Sequence, residues 1–462
     1  MTTPREVRQL YKDIKIKLKG FSLSLLAFLF ILFLTNLAKA SVFCVNTSDE
    51  LQSALTSAAS NEEDDVIKIV QGVYNGNFVY ASHEGHDLTI EGGYTKGCVS
   101  RIVDATNTVL NGQPGGGTVL VLSCDKKVSF FIEGITVKEG AKLGDGGGLF
   151  VYIPGGTLTL INNTIRDNST TGGHYGGGLY AYAYGATVSL TNNTIIDNSS
   201  NDCGGLHICG DTVTLANNTI SHNLAKGYYG GGHGGGLCIY AVSQLSLINN
   251  IITYNSAYVA GGLSISVKEI AALNNNIVAH NEGGGLSAST NGGTINLTNN
   301  TITDNHSTYD NYDGGGVHLL LGDNAVVNIY NNIIFNNIAS RANDLAIWND
   351  NDGNYLPAEV NLFNNDFDQS SKGTFIQIPF TIHSSNLDNE DPLFVNPANS
   401  DYHIQADSPC INVGDPNAPG LPKTDFEGDS RIVGTAPDIG ADEFVKSMPC
   451  KSMPWLYLLL GE

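Results

Sequence analysis

A paired motif that recurs along most of this 462-residue chain restricts its fold more than any other feature. One half reads Leu-x-Asn-Asn-x-Ile-x-x-Asn. It begins at Leu160, Leu190, Leu215, Leu247, Leu273 and Leu297, with Val278 once in the Ile place. An Ile-led copy starts at Ile329, and a decayed copy runs from Leu362 to Gln369. The other half is Gly-Gly-Leu/Val, ending at Leu149, Leu179, Leu206, Leu237, Leu263, Leu286 and Val317. A period of roughly 23 to 33 residues is that of a stacked solenoid, which grows in one dimension and can use a long chain as one unit.

Within a repeat the apolar positions alternate. Val188 and Leu190 face one way and the intervening hydroxyls the other, as a half-buried strand requires. Asn192-Asn193 then bends the chain, and Ile195 opens a second inward run. The Gly-rich arm leads into Leu179-Tyr180-Ala181-Tyr182-Ala183, again alternating. Asn tolerates left-handed backbone at corners, and stacked Asn amides can hydrogen-bond from coil to coil. The glycines permit close approach that Cβ would forbid. Charged residues are only 15% and Gly numbers 54, a turn-rich composition poor in helix formers. The expected fold is all-β: a single-stranded right-handed parallel β-helix, a three-sheet solenoid, with an N-terminal helical cap and a C-terminal cap.

Residues 1–40 read as an export signal. Lys12, Lys15, Lys17 and Lys19 precede the apolar stretch Phe21–Leu34, and Ala38-Lys39-Ala40 is a small-x-small cleavage site. The apolar stretch is short for a membrane span, so the mature chain is expected to have none. Residues 41–126 read as an entry cap with the first coils. Thr47-Ser48-Asp49-Glu50 is a capping box that opens a helix through about Ala59, strands follow at 66–70 and 88–90, and Glu91-Gly92-Gly93-Tyr94 is expected to turn. Residues 127–370 form the stack, 371–445 an exit cap, and 446–462 a tail.

The formal net charge is −22, and the leader is basic, so the remainder is more acidic still. Such a chain repels nucleic acid and anionic membranes. The eight cysteines all follow the leader and permit disulfides in an exported chain. Cys44–Cys98, flanking the entry cap, is the expected bridge. Cys209 and Cys238 fall on adjacent coils, but their two-residue offset puts them too far apart to bond. No cysteine spacing resembles a zinc site. Nine Asn-x-Ser/Thr patterns occur, and seven fall on repeat Asn positions, which favours a structural reading over glycosylation.

The Asn-Asn-Thr-Ile and Gly-Gly-Gly-Leu repeats resemble the right-handed parallel β-helix (pectin-lyase-like) superfamily. The C-terminal run Asp391-Pro392-Leu393-Phe394, Asp401-Tyr402-His403, Ser408-Pro409-Cys410-Ile411 to Gly414 and Asp438-Ile439-Gly440-Ala441-Asp442-Glu443 resembles that of bacterial choice-of-anchor Q proteins. The pairing of Ile-x-x-Asn with Gly-Gly-x-Leu is similar to the repeats of polymorphic outer-membrane proteins. The resemblance implies an exported, cell-surface or outer-membrane-associated or secreted protein with a structural, adhesion or glycan-binding role. The alternative it implies is a polysaccharide lyase or other carbohydrate-active enzyme.

Three constellations could carry chemistry. Lined up coil by coil, the outward residues Phe150, Tyr152, Tyr180, Tyr182 and Tyr240 form an aromatic patch suited to stacking on sugar rings of a cell-wall or extracellular polysaccharide, or to a cell-surface partner. The bland reading is cross-strand pairing or cover by a loop. Asp167 and Asp197, one coil apart, are candidate Ca²⁺ ligands, although most such carboxylates are merely solvated; Asp350-Asn351-Asp352-Gly353-Asn354 is a further loop candidate. Arg166 is the candidate catalytic base should the chain be a lyase, since lyases of this superfamily pair a Ca²⁺-binding carboxylate cluster with a basic residue. Gly232-His233-Gly234 matches a polygalacturonase pattern by letters only. No carboxylate pair is singled out for acid/base hydrolysis.

Overall fold

The computed structural model describes residues 40–112, 116–227, 232–307, 314–349, 358–378 and 380–445. The chain divides into residues 1–41 and 42–462, and the architecture below is that of the second unit. The expected signal segment, the tail and the Asp350–Asn354 loop lie outside the described residues. Among those described, no helix is long and apolar enough to cross a membrane.

The helix Ser48–Ala58 stands where the capping box places it. Thr47 Oγ1 accepts from the Glu50 main-chain N–H at 3.2 Å, and the Glu50 carboxylate accepts from Asn46 N at 2.7 Å. Leu51, Ala54, Leu55 and Ala58 bury one face, and the Cys44–Cys98 disulfide ties this end together, with Cα atoms 5.9 Å apart. The expected turn at Glu91–Tyr94 is instead the end of the strand Leu88–Tyr94. Its glycines serve close approach: a Cβ on Gly92 would stand 2.3 Å from Gly134 O.

From there parallel strands stack in register as a right-handed β-helix. A twelve-stranded sheet takes one short strand per coil, such as Thr164–Arg166, Thr194–Ile196 and Thr219–Ser221. A larger sheet holds the other two runs of each coil, which fuse into long strands at Leu179–Thr191, Leu206–Ala216 and Leu237–Ile248. A small four-stranded sheet covers the Gly-rich arm between Ala141 and Ala225. One continuous core of Leu, Ile, Val and Ala runs through all coils.

The two motif halves recur together for a steric reason. The last Asn of each repeat lies buried and forms a file running Asn168, Asn198, Asn223, Asn255, Asn281, Asn305 and Asn337, each Oδ1 accepting both the main-chain N–H and the Nδ2 of its predecessor. The file ends on Asp344 Oδ1. Each Asn packs on the bare Cα of the second motif glycine: a Cβ on Gly178 would meet Asn198 Cγ at 3.0 Å. A parallel file runs from Asn163 through Asn250 to Asn386. The left-handed corners belong to different residues, the first Asn of each pair and the residue before the last Asn, including Asp167, Asp197, His222, Tyr254 and His280.

At the far end, Ile376, Ile378, Phe380 and Ile382 pack on the core. Residues 391–445 then double back along the flank of the coils rather than covering their end. Tyr402 and Ala441 pack on Ile251, Ile277 and Ala279; Ile404, Cys410 and Ile439 pack on Ile333. The corner asparagines hold this strap: Asn299 Nδ2 donates to Asp438 O and Gly440 O, Asn331 Nδ2 to Asp415 O, and Asn364 Nδ2 to Val413 O. Arg431, buried, donates to Asn275 Oδ1 and to the carbonyls of Gly440, Ala441 and Asp442.

Candidate functional site

The strand that follows each Gly-Gly pair points alternate residues outward, and parallel pairing places those residues one above another. Phe150 pairs with Tyr180 and Tyr152 with Tyr182; Tyr180 then pairs with His207, and Tyr182 with Cys209. The rings follow the register. Phe150 and Tyr180 stack with centroids 5.5 Å apart, Tyr180 and His207 at 5.1 Å, Tyr152 and Tyr182 at 5.7 Å. Tyr152 and Tyr182 remain 37% and 39% exposed, enough to offer a ring face or edge to a ligand. Tyr240 does not meet Tyr182 directly, because Cys209 intervenes in its file. Tyr184 bridges the gap, its ring 4.8 Å from Tyr182 and 5.9 Å from Tyr240.

Tyr184 is therefore a member the sequence reading omitted, although the same alternation that selects Tyr180 and Tyr182 reaches it. Tyr175 also joins, 5.1 Å from His207; it lies on the Gly-rich arm, where no period announces it. Lys142 Nζ sits 5.0 Å from the Phe150 ring centroid and Lys268 Nζ 5.7 Å from that of Tyr240, so two cations flank the strip. Burial pushes the Tyr180 and Tyr184 hydroxyls up to about 12, which keeps both as neutral donors. Burial pulls the His207 imidazole down to about 4, against the opposing pull of Asp145 and Asp202.

Cys209 and Cys238 are not bonded, in keeping with their offset. Cys238 instead joins Cys203 of the preceding coil, with Cα atoms 5.3 Å apart. Cys203 occupies a left-handed corner where neighbouring coils place Gly176 and Gly234, which brings its sulfur over the next strand. Gly232-His233-Gly234 serves this corner: His233 O accepts from Cys203 N, and His233 N donates to Asp202 Oδ1.

Arg166 lies on the other large sheet, in register with Lys138 and Ile196. Its guanidinium pairs with Asp167 of its own corner, both side chains 40% exposed. Asp197 stands one coil on, its carboxyl raised by burial. These three are neighbours, apart from the aromatic strip. Among the described residues, the groups of three or more side chains with metal-ligating atoms within 4.8 Å of one another are Cys203/His207/Cys238 and His403/Glu427/Asp442; Asp167 and Asp197 find no third ligand of that kind.

Residues 148–355 match the family model described as right handed beta helix region. Among solved structures, the crystal structure of pectate lyase Pel9A aligns at a TM-score of 0.45 and 14% identity, covering 88% of this chain and 98% of that one. No curated protein sequence matches the chain.

Proposed function

We propose that this chain is an exported β-helix scaffold, on the cell surface or secreted, that binds polysaccharide on the aromatic strip of Phe150, Tyr152, Tyr180, Tyr182, Tyr184 and Tyr240. The observation that carries the reading is the register of that strip: rings on successive coils lie stacked and partly exposed on a stiff sheet. Sugar rings present C–H faces that suit such a platform, and the two flanking lysines add contacts for hydroxyl or carboxylate groups. Two disulfides accord with an oxidising compartment.

Affinity electrophoresis of the full chain through gels containing neutral and uronic-acid cell-wall polysaccharides tests it. Loss of two rings in a Tyr152→Ser/Tyr182→Ser variant should weaken retardation by about 10-fold or more. Leu320→Ser, an exposed outward position on the same face of a later coil, should leave it unchanged. Equal retardation of wild type and the double Tyr variant on every polymer sinks the reading.

The adjacency of Arg166, Asp167 and Asp197 favours the second reading, a Ca²⁺-dependent lyase. Calcium-dependent release of unsaturated product that is lost in Arg166→Ala would establish it.

A further inference from the structure

The Cys203–Cys238 bridge sits in surroundings unlike those of a plain structural disulfide. His207 Nδ1 lies 3.2 Å from Cys203 Sγ, and its other ring nitrogen, Nε2, lies 3.3 Å from the free thiol of Cys209. The imidazole packs on two rings of the preceding coil, Tyr180, stacked at 7°, and Tyr175, tilted at 40°, both with centroids 5.1 Å away. One ring thus spans two sulfurs and is fixed in orientation by two aromatics. We propose that, once the Cys203–Cys238 bond is reduced, Cys203 Sγ, Cys238 Sγ and His207 Nδ1 form a three-ligand site for a thiophilic d¹⁰ cation, Zn²⁺ or Cu⁺. This assignment stands independently of polysaccharide binding.

The ligand atoms already lie within 4.8 Å of one another. A tetrahedral zinc with bonds of about 2.3 Å to sulfur and 2.0 Å to nitrogen sets its ligand atoms roughly 3.5 to 3.8 Å apart, so the sulfurs need only relax from bond contact. The frame survives reduction, because Leu206–Gly210 and Leu237–Ala241 stay paired in the sheet. With His207 Nδ1 on the metal, its proton resides on Nε2 and is donated to Cys209 Sγ, the outer-shell partner that ligating histidines require. Three protein donors with an open fourth position is the pattern of a reactive zinc site; a closed structural one would have four.

The chemistry balances simply. A dithiol or phosphine reductant gives up two electrons and is itself oxidised, while Cys203 and Cys238 gain those electrons and two protons. Cation binding then releases the two thiol protons to solvent. A disulfide oxidant reverses the sequence and expels the cation.

The test uses the full chain, reduced with a phosphine, freed of reductant under argon, and titrated with Zn²⁺ or Cu⁺ against a chromogenic chelator. Co²⁺ serves as a spectroscopic reporter of thiolate ligation. One equivalent should bind the reduced protein with thiolate-to-cobalt charge transfer, and oxidised glutathione should release it. Cys238→Ser should weaken binding on the order of 100-fold or more, and Cys209→Ser on the order of 10-fold. His207→Asn keeps both sulfurs and the bridge, so it decides the matter should the Cys variant misfold. Cys44→Ser/Cys98→Ser should retain the site. Preference for either cation keeps the donor set. Equal binding by oxidised and reduced protein, or by wild type and His207→Asn, overturns it.

Discussion

Asn223 donates its main-chain N–H and its Nδ2 to Asn255 Oδ1, accepts the same two bonds from Asn198, and reaches Ile195 O and Ser221 O besides. All of this is buried. Asn223→Ala should therefore strand several polar groups at once and lower unfolding free energy by about 3 kcal/mol or more, measured by denaturant titration, with faster amide exchange at Asn198. At this scale the sequence was half legible. Asn at the corners announced both left-handed backbone and amide files, but identical letters served both jobs. Only the structure separates Asn192, with φ +56°, from Asn193, which joins a file. Asp366 is a residue whose letter misleads. It stands in the file of Thr301 and Ile333, beneath the strap, with Oδ2 unpartnered. Burial pushes its carboxyl up to about 7.

Among elements, the strap departs most from expectation. A cap was legible in the departure from the repeat, but not its place on the flank. A signal was present: the outward second-sheet position reads Thr164, Thr194 and Thr219 in early coils, then Ile251, Ile277 and, after Thr301, Ile333 in later ones. Apolar residues turned outward imply cover. Arg431 holds that cover to Asn275. Arg431→Ala takes from Asn275 Oδ1 and Asp442 O their arginine donor and removes a cation facing Asp425 and Glu443. Limited proteolysis should then cut within residues 391–445 while the stack stays resistant, as expected where coils contact only neighbours. His403 belongs to the same element. Burial lowers its imidazole, but the hydrogen bond it donates to Glu427, the charge of Asp442 and the bond it donates to Asp401 outweigh that and raise it to about 10.

For the whole molecule these shifts act largely in one direction. Asp344 is raised to about 6, and Asp366, Asp442 and Glu443 to about 7, in each case chiefly by burial. A carboxyl whose folded value exceeds its unfolded value binds more protons when folded, so its stabilisation is present at low pH and lost as pH rises from about 4 through 7. His403 contributes fully below its unfolded value of 6.5 and fades as pH rises through about 10. Exposed Glu50 and Asp125, held down by bonds to Asn46 and His83, work the other way. The thermal midpoint should be higher near pH 5 than near pH 8. Asp366→Thr, the residue of earlier coils, should raise the pH 8 value and flatten the profile; an unchanged profile would remove Asp366 from the account. The fold was legible in the sequence because a solenoid repeats its grammar. The Cys203, His207 and Cys238 cluster was not, because its members come from two coils and meet only through a left-handed corner that linear spacing does not encode.

The asparagine files have one more consequence. Neighbouring peptide dipoles in a strand alternate and cancel, but every file carbonyl points toward the amino-terminal end, since each Oδ1 accepts from the preceding coil. The dipoles add and polarise one another. The rod thus has an electrical sense, like a bar magnet with two different poles, and the carboxylate of Asp344 sits at the pole where the amino groups emerge.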